Sequence, residues 1–337
     1  MKYYVGLDVS VKETSVCIVN QDGDILAEKS VSSEPESIFQ YLQSQKLEYK
    51  RVGLEAGCIT PWLYHELITL KLPMICIETR HAKAAMEAQN MKTDRNDARG
   101  IAHIMRTGWY KEVHVKSHDT HKTRVLINNR KCLQNKMIDI TGQIRGTLKV
   151  FGHKVGHVSS KDYEGRIYEL IGDDPELLSY IEPLLLVRDQ LRRQFQKLDK
   201  MILDIAKNDS ICELFMSIPG VGSLTALTFK TTIERPQRFK KSKNVGVHLG
   251  LTPRKYASGE IDHNGRITKC GDAVTRHHLY IAAQCLLNKV KKSCPLKAWG
   301  LRIAKRSSPQ KAYVAVARKL AVIMHRMWID GTYYQHA

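Results

Sequence analysis

The sequence has no apolar run near the roughly 20 residues that cross a bilayer, and no charged-then-apolar leader surrounds Met1-Lys2-Tyr3-Tyr4. A membrane span is excluded, and a soluble, cytoplasmic protein is expected. Cysteine pairs of the C-x-x-C kind are also missing. Cys17, Cys58, Cys76, Cys132, Cys212, Cys270, Cys285 and Cys294 are scattered, and none stands at zinc-finger spacing from a histidine. That excludes a structural zinc site and leaves reduced thiols as the simplest state. Low-complexity tracts and internal repeats are absent too. With 43% hydrophobic and 26% charged residues the composition is globular, which excludes wholesale disorder. A length of 337 residues exceeds the size at which one core stops growing, so at least two domains are expected.

Negative charge is the other shortage. Lys and Arg number 53 against 34 Asp and Glu, a net charge of +19. The excess is local. Residues 1–110 hold 13 basic and 14 acidic side chains, so the whole surplus lies beyond them. A near-neutral first domain followed by a strongly basic remainder favours a polyanion partner, above all nucleic acid.

Along the chain, residues 3–9 and 14–20 read as strands. Gln21-Asp22-Gly23-Asp24 is a hairpin turn, and residues 25–31 return as a third strand. A helix over 35–46, a strand over 51–55, a helix opened by Pro61, a strand over 74–78 and a helix from Thr93 follow. A three-strand meander and then alternating helix and strand is the ribonuclease-H-like order of elements. Residues 120–210 are helical. Leu184, Leu191, Leu198 and Ile205 recur every seven, with Val187 and Met201 between them, which fits a coiled coil that pairs with itself or with a second chain. Gly152, Gly156 and Ser159-Ser160 mark a break. Two apolar helical stretches, 272–290 and 309–329, close the chain. The expected division is 1–112, 113–210 and 211–337, an α/β domain, a helical middle and a mainly α end.

Asp8 interrupts an apolar strand, where a carboxylate is costly unless paired or metal-bound. Glu55 ends the fourth strand. Asp94 and Asp97, three apart at a helix start, share a face. Singly each acid has an ordinary structural use, as a helix N-terminal charge or an ion-pair partner. In the ribonuclease-H arrangement the first and fourth strands are neighbours and a later helix crosses their ends, so the four converge. Close-set carboxylates suit Mg²⁺ or Mn²⁺, and such ions serve phosphodiester chemistry. Lys92 and Arg95 flank the acids and could neutralise phosphates.

Gly6-Leu7-Asp8-Val9-Ser10, Leu54-Glu55-Ala56-Gly57 and Lys92-Thr93-Asp94-Arg95-Asn96-Asp97-Ala98 resemble the DEDD-type transposases of bacterial insertion sequences (insertion-sequence family 110). The first domain of that family is similar to the RuvC resolvase fold. The resemblance implies that Asp8, Glu55, Asp94 and Asp97 are the four metal-binding acids. Ala56 stands where the family often has a hydroxyl residue.

In the basic end, Pro219-Gly220-Val221-Gly222 resembles the hairpin of a helix-hairpin-helix element, where Gly220 and Gly222 would let a phosphate approach. Lys240 and Lys241 lie in a basic run beside it, which fits backbone binding. The strings from Gly250 to Gly259 and from Gly265 to Asp272, with Arg276, resemble the C-terminal domain of the same family. The resemblance implies that Ser258 is a nucleophile on DNA, whereas by itself Ser258-Gly259 reads as a plain turn. Arg254, Lys255, Lys269 and Arg276 could stabilise the charge that develops on phosphorus.

The family further implies a structured non-coding guide, the bridge RNA, pairing with target and donor DNA, with the protein reading backbone and shape. It implies an active site composed from two protomers, a dimer assembling to a tetramer, and action at the bacterial nucleoid. Three other readings rank behind it: a metal-dependent junction resolvase or nuclease using water, a sugar-kinase-like ATPase, and a non-enzymatic DNA-binding protein. The ATPase reading needs a second glycine-rich phosphate loop, and none convincing is present.

Overall fold

The computed structural model describes residues 1–86, 93–259 and 261–335. The chain divides into two compact units, Met1–Asp119 and Thr120–Ala337.

The first unit is built on a five-stranded sheet. Strands β1 (Tyr3–Val9), β2 (Glu13–Val19) and β3 (Ile25–Ser32) form the meander, and β4 (Tyr49–Glu55) and β5 (Met74–Ile77) complete the order β3-β2-β1-β4-β5. β1 runs antiparallel to β2 and parallel to β4, with Gly6 opposite Gly53 and Leu7 opposite Leu54. This is the ribonuclease-H-like arrangement expected from the element order. Side chains alternate across the sheet. Val5, Leu7, Val16, Val52 and Leu54 pack with Ile38 and Leu42 of α1 (Pro35–Ser44) and with Leu63 and Leu67 of α2 (Thr60–Thr69). Tyr4, Cys17 and Val19 face the other way, where Ala82 of α3 (Thr79–Met86) and Ile101, Ala102 and Met105 of α4 (Asp94–Thr107) cover them.

The second unit begins with two 33-residue helices, α5 (His118–Val150) and α7 (Pro175–Lys207), joined through α6 (Tyr163–Ile171). The helices are antiparallel. Arg130 bonds Asp199 (Nε–Oδ1, 2.6 Å) and lies over Phe195, while farther along Arg188 bonds Thr141 (Nε–Oγ1, 3.0 Å) and lies over Tyr163. The far end has its own core of Ile144, Leu148, Tyr163, Ile167, Ile181 and Leu185. At the near end Ile127, Ile202 and Ala206 join the main core. The buried stripe of α7 is Leu177, Ile181, Leu185, Arg188, Ile202 and Ala206. The heptad positions Val187, Met201 and Ile205 stand exposed beside it, at 51%, 44% and 39%. A seven-residue repeat marks one edge of a wide apolar stripe, and the side toward α5 is the neighbouring one.

The main core gathers α8 (Ser210–Met216), α9 (Ser223–Ile233), α10 (Lys243–His248), α11 (Ala273–Asn288), α12 (Pro295–Arg306) and α13 (Pro309–Asp330). Two elements are additions to the sequence reading. α12 separates the two expected apolar helices. Strands β6 (Pro253–Ser258) and β7 (Ile261–Ile267) form a two-stranded antiparallel hairpin within an otherwise helical unit. Every β6 residue is exposed, so the strand carries none of the apolar alternation by which a strand is read.

Candidate active site

Asp8 is the last polar position of β1, two residues beyond Gly6, so alternation puts both on the α4 face. Glu55 stands in the same relation to Gly53 on β4. Because Leu7 is opposite Leu54 in the parallel pair, Asp8 and Glu55 occupy the next rung at the carboxyl ends of the two strands. Both are half-buried. The loop after Glu55 is held by Thr60, whose hydroxyl donates to the Glu55 carbonyl at 2.7 Å and accepts from Gly57 N at 2.8 Å.

Helix α4 brings the other two acids. A Cβ on Gly6 would lie 2.1 Å from the Ala98 carbonyl oxygen, and one on Gly53 would lie 2.5 Å from Met105 Cγ. The helix therefore rests on two side-chain-free positions in one rung. Arg106, near its end, donates to Gln21 at the β2–β3 turn (3.4 Å), whereas Arg99 meets Glu28 midway along β3. The helix axis thus runs opposite to β1, and its first turn comes to the end of the sheet that carries Asp8 and Glu55. Thr93 caps that turn by accepting from Asn96 N at 3.2 Å, and Asp94 and Asp97 sit in it, where the helix dipole favours negative charge. All four acids share one face and one end of the sheet.

The donor set is all carboxylate oxygen, which fits a hard divalent cation such as Mg²⁺ or Mn²⁺. Among the described residues no three His, Cys, Asp or Glu groups are drawn together in metal-holding geometry. The acids share a location without a closed cage. The Glu55 charge is felt by Cys76, whose thiol is pushed up to about 12 by burial first, then by Glu112 and Glu55.

Two arginines beside the acids are engaged by a residue that sequence reading passed over. Glu28 on β3 accepts from Arg95 Nε and Arg99 Nη2, each at 2.8 Å, and from Arg99 Nε. The Arg99 hydrogen bond, with that of Arg95, outweighs burial and holds the Glu28 carboxyl down at about 2. No sequence motif marks Glu28, because its partners lie 67 and 71 positions away. Lys92 lies outside the described residues.

In the second unit Ser258 ends β6, pairs with Ile261 and is exposed at the hairpin tip, followed by Gly259 at φ +55°. Arg254 and Lys255 are exposed on the same strand, and Lys255 approaches Asp262 at 3.3 Å. Tyr256 stacks on His263 across the hairpin, centroids 5.0 Å apart. The hairpin base is locked. Gly250 and Gly271 have positive φ, and a Cβ on either would meet backbone at 2.3 and 2.1 Å. Lys269 sits between them at φ +56°, its amide donating to Gly250 O. Arg276 secures the same base through Nη1, which donates to the carbonyls of Cys270 (2.6 Å), Gly271 (3.0 Å) and Leu249 (3.2 Å). Gly220 has a packing reason as well: at φ +90°, its missing Cβ would meet Ala282 O and Leu286 N of α11 at 2.8 and 2.9 Å. Gly222 is the N-cap of α9, and Lys240 and Lys241 are exposed after a 3₁₀ turn at Pro236–Arg238.

A ribonuclease-H-like sheet with carboxylates at the ends of β1 and β4 and on the crossing helix, followed in one chain by a basic helical unit, is the build of a DEDD-type DNA transposase. Comparison with known families agrees. Residues 5–152 match a family described as "Transposase", the DEDD transposases of the IS110 kind, and residues 212–295 match "Transposase IS116/IS110/IS902 family". The chain belongs to the IS110 family of insertion-sequence transposases, and the acidic domain of that family implies a divalent metal cofactor. Among its relatives is the transposase for insertion sequence element IS1111A of Coxiella burnetii, 27% identical over 95% of this chain and 88% of the relative. A putative transposase, y4pF/y4sB, of Sinorhizobium fredii is 27% identical over 73% of this chain and 65% of its own length. The transposase for insertion sequence element IS1328 of Yersinia enterocolitica is 24% identical over 72% and 73%. No described helix is long and apolar enough to cross a membrane.

Proposed function

We propose that this transposase is an RNA-guided DNA recombinase that cuts and rejoins strands through Ser258. The observation that carries this reading is the placement of Ser258 at the exposed tip of a hairpin whose base is locked by Gly250, Gly271 and Arg276. A serine at a solvent-facing tip, with Arg254 and Lys255 exposed on the strand that leads to it and Lys269 at the hairpin base, can meet a phosphodiester without distortion of the body. Its Oγ attacks phosphorus and forms a phosphoserine link as the bond to one sugar oxygen breaks. That oxygen leaves with a proton, and rejoining reverses the step. Asp8, Glu55, Asp94 and Asp97 would hold Mg²⁺ or Mn²⁺, which when bound supplies charge neutralisation on the phosphate oxygens.

The acids belong to the first compact unit and Ser258 to the second, which accommodates a site composed from two protomers. A dimer assembling to a tetramer across donor and target DNA follows from that reading. The exposed Val187, Met201 and Ile205 on α7 offer an apolar surface for helix pairing. Guidance by a bridge RNA would place sequence choice in base pairing, with Lys240, Lys241 and the Gly220–Gly222 turn on the backbone. The test is cleavage of end-labelled DNA by protein purified with the RNA of its flanking sequence. Ser258→Ala and Asp8→Ala should each abolish cleavage, and RNase treatment beforehand should abolish site choice. Full cleavage by Ser258→Ala would replace this reading with hydrolysis by water.

A further inference from the structure

The Glu28 cluster lies outside the four acids yet touches the helix that carries two of them. The Glu28 side chain is only 10% exposed, on β3 at the far edge of the sheet. It pairs through Cys17 and Gly6 to Gly53, so it stands in the same rung as the two glycines that seat α4. Both its oxygens are used by Arg95 and Arg99, one helical turn apart. Arg99 also reaches Asn96 Oδ1 at 3.4 Å. A charged clamp thus holds one flank of the turn whose other residues are Asp94 and Asp97.

Arg95 is not consumed by this contact. Its side chain is 67% exposed, and the Glu28 bonds engage Nε and Nη2, leaving Nη1 outside them. A cavity of about 310 Å³ lies beside it, lined in part by Arg95, Ser15 and Ser30. Ser15 pairs with Asp8 on one side and Ser30 on the other, so the cavity continues the Asp8 rung. Ser30 donates to Glu13 Oε2 at 3.1 Å. Two arginines and one carboxylate leave the clamp with a net positive charge. A planar guanidinium fixed along one edge presents its other edge in a set direction, which is how arginine recognises a phosphate.

We propose that Glu28 is a positioning residue: it pins Arg95 and Arg99 to β3, so that Asp94 and Asp97 are held toward Asp8 and Glu55 and Arg95 is turned to a backbone phosphate of the nucleic acid in the neighbouring cavity. This rests on the acid site described above. Groups that orient ligands commonly change metal affinity by about 10–100-fold when removed.

The experiment uses the full-length protein and Mn²⁺ without DNA, followed by isothermal calorimetry and electron paramagnetic resonance. Glu28→Gln should weaken Mn²⁺ binding by about tenfold or more, and Glu28→Asp should restore part of it. Circular dichroism should show both variants folded at the assay temperature. Arg95→Ala, which leaves the Arg99–Glu28 pair in place, should weaken Mn²⁺ binding less than Glu28→Gln does, raise KM for DNA, and lower the salt dependence of binding. Wild-type Mn²⁺ affinity in folded Glu28→Gln, or an unchanged KM and salt dependence in Arg95→Ala, would overturn the proposal. If Asp8→Ala also binds Mn²⁺ like wild type, the acid site itself has failed, a result separable from failure of the clamp alone.

Discussion

Gly6 and Gly53 face one another on the parallel strands β1 and β4, and helix α4 crosses both. The pair sets how closely the helix approaches the sheet, and through it where Asp94 and Asp97 lie relative to Asp8 and Glu55.

The two glycines should differ in tolerance. An added Cβ at Gly6 meets the backbone of Ala98 and Ala102, which cannot move without shifting the helix. At Gly53 it meets the flexible Met105 side chain. Gly6→Ala should destabilise by about 1–3 kcal/mol and reduce cleavage further than the stability loss explains. Gly53→Ala should cost less. Urea unfolding followed by circular dichroism measures both, and equal costs would contradict this geometry.

Glu28 gives the first unit a defined acid response. Its carboxyl lies near 2 in the folded chain against an ordinary 4.5. A lowered carboxyl contributes stability that is complete above the unfolded value and lost as pH falls toward the folded value. The window is thus about pH 4.5 down to about 2. Glu28→Gln should remove that part of the pH dependence, measured as the change in melting temperature across the window.

The eight cysteines should separate by reactivity. Burial is the leading cause that pushes the thiols of Cys17, Cys76 and Cys212 up to about 12, whereas Cys58 and Cys132 are exposed. Thiolate is the reactive form. Alkylation of native protein, read by peptide mass spectrometry, should label Cys58 and Cys132 first. Early labelling of Cys17 would contradict the packing of α4 on the sheet.

The basic residues of the second unit should fall into two kinds. Lys240 and Lys241 are exposed, and each replacement by Ala should reduce the salt slope of DNA binding by about one. Arg276 spends Nη1 on three carbonyls, so Arg276→Met should leave the slope unchanged. Its loss should instead loosen the β6–β7 base and lower cleavage. Fluorescence anisotropy across a salt series distinguishes the two.

Much of this was legible in the sequence where local periodicity decides structure. β1, β2, β4 and β5 are legible because each carries a short run of buried apolar residues bounded by turns, β3 is legible from the hairpin turn at Gln21–Asp24 that precedes it, and Asp8 stands out against Leu7 and Val9. The ribonuclease-H order of elements points to the grouping of the acids, and the resemblance of the Lys92–Ala98 string to a known family adds the metal-binding role it implies for them. What stayed hidden depends on distant partners or on exposure. Glu28 looks like an ordinary strand charge until Arg95 and Arg99 return from α4. Arg276 reads as a free cation until the turn from Leu249 folds against it. β6 shows no apolar alternation because it buries nothing. The α7 stripe was displaced because Leu184, Val187 and Leu191 compete with Ile181, Leu185 and Arg188 for the face toward α5, and pattern alone cannot rank two adjacent apolar faces.

The proposed strand exchange turns on a covalent link between DNA and Ser258. The direct measurement is to stop the guided reaction with denaturant, digest with trypsin and nuclease, and map the nucleotide-bearing peptide. Cleavage after Lys255 and Arg266 isolates Tyr256–Arg266, which contains Ser258 and no other serine or threonine. A nucleotide mass is expected on that peptide, located at Ser258 by fragmentation and absent from Ser258→Ala. Cut DNA with no peptide carrying a nucleotide would contradict it and leave hydrolysis by water at the four acids.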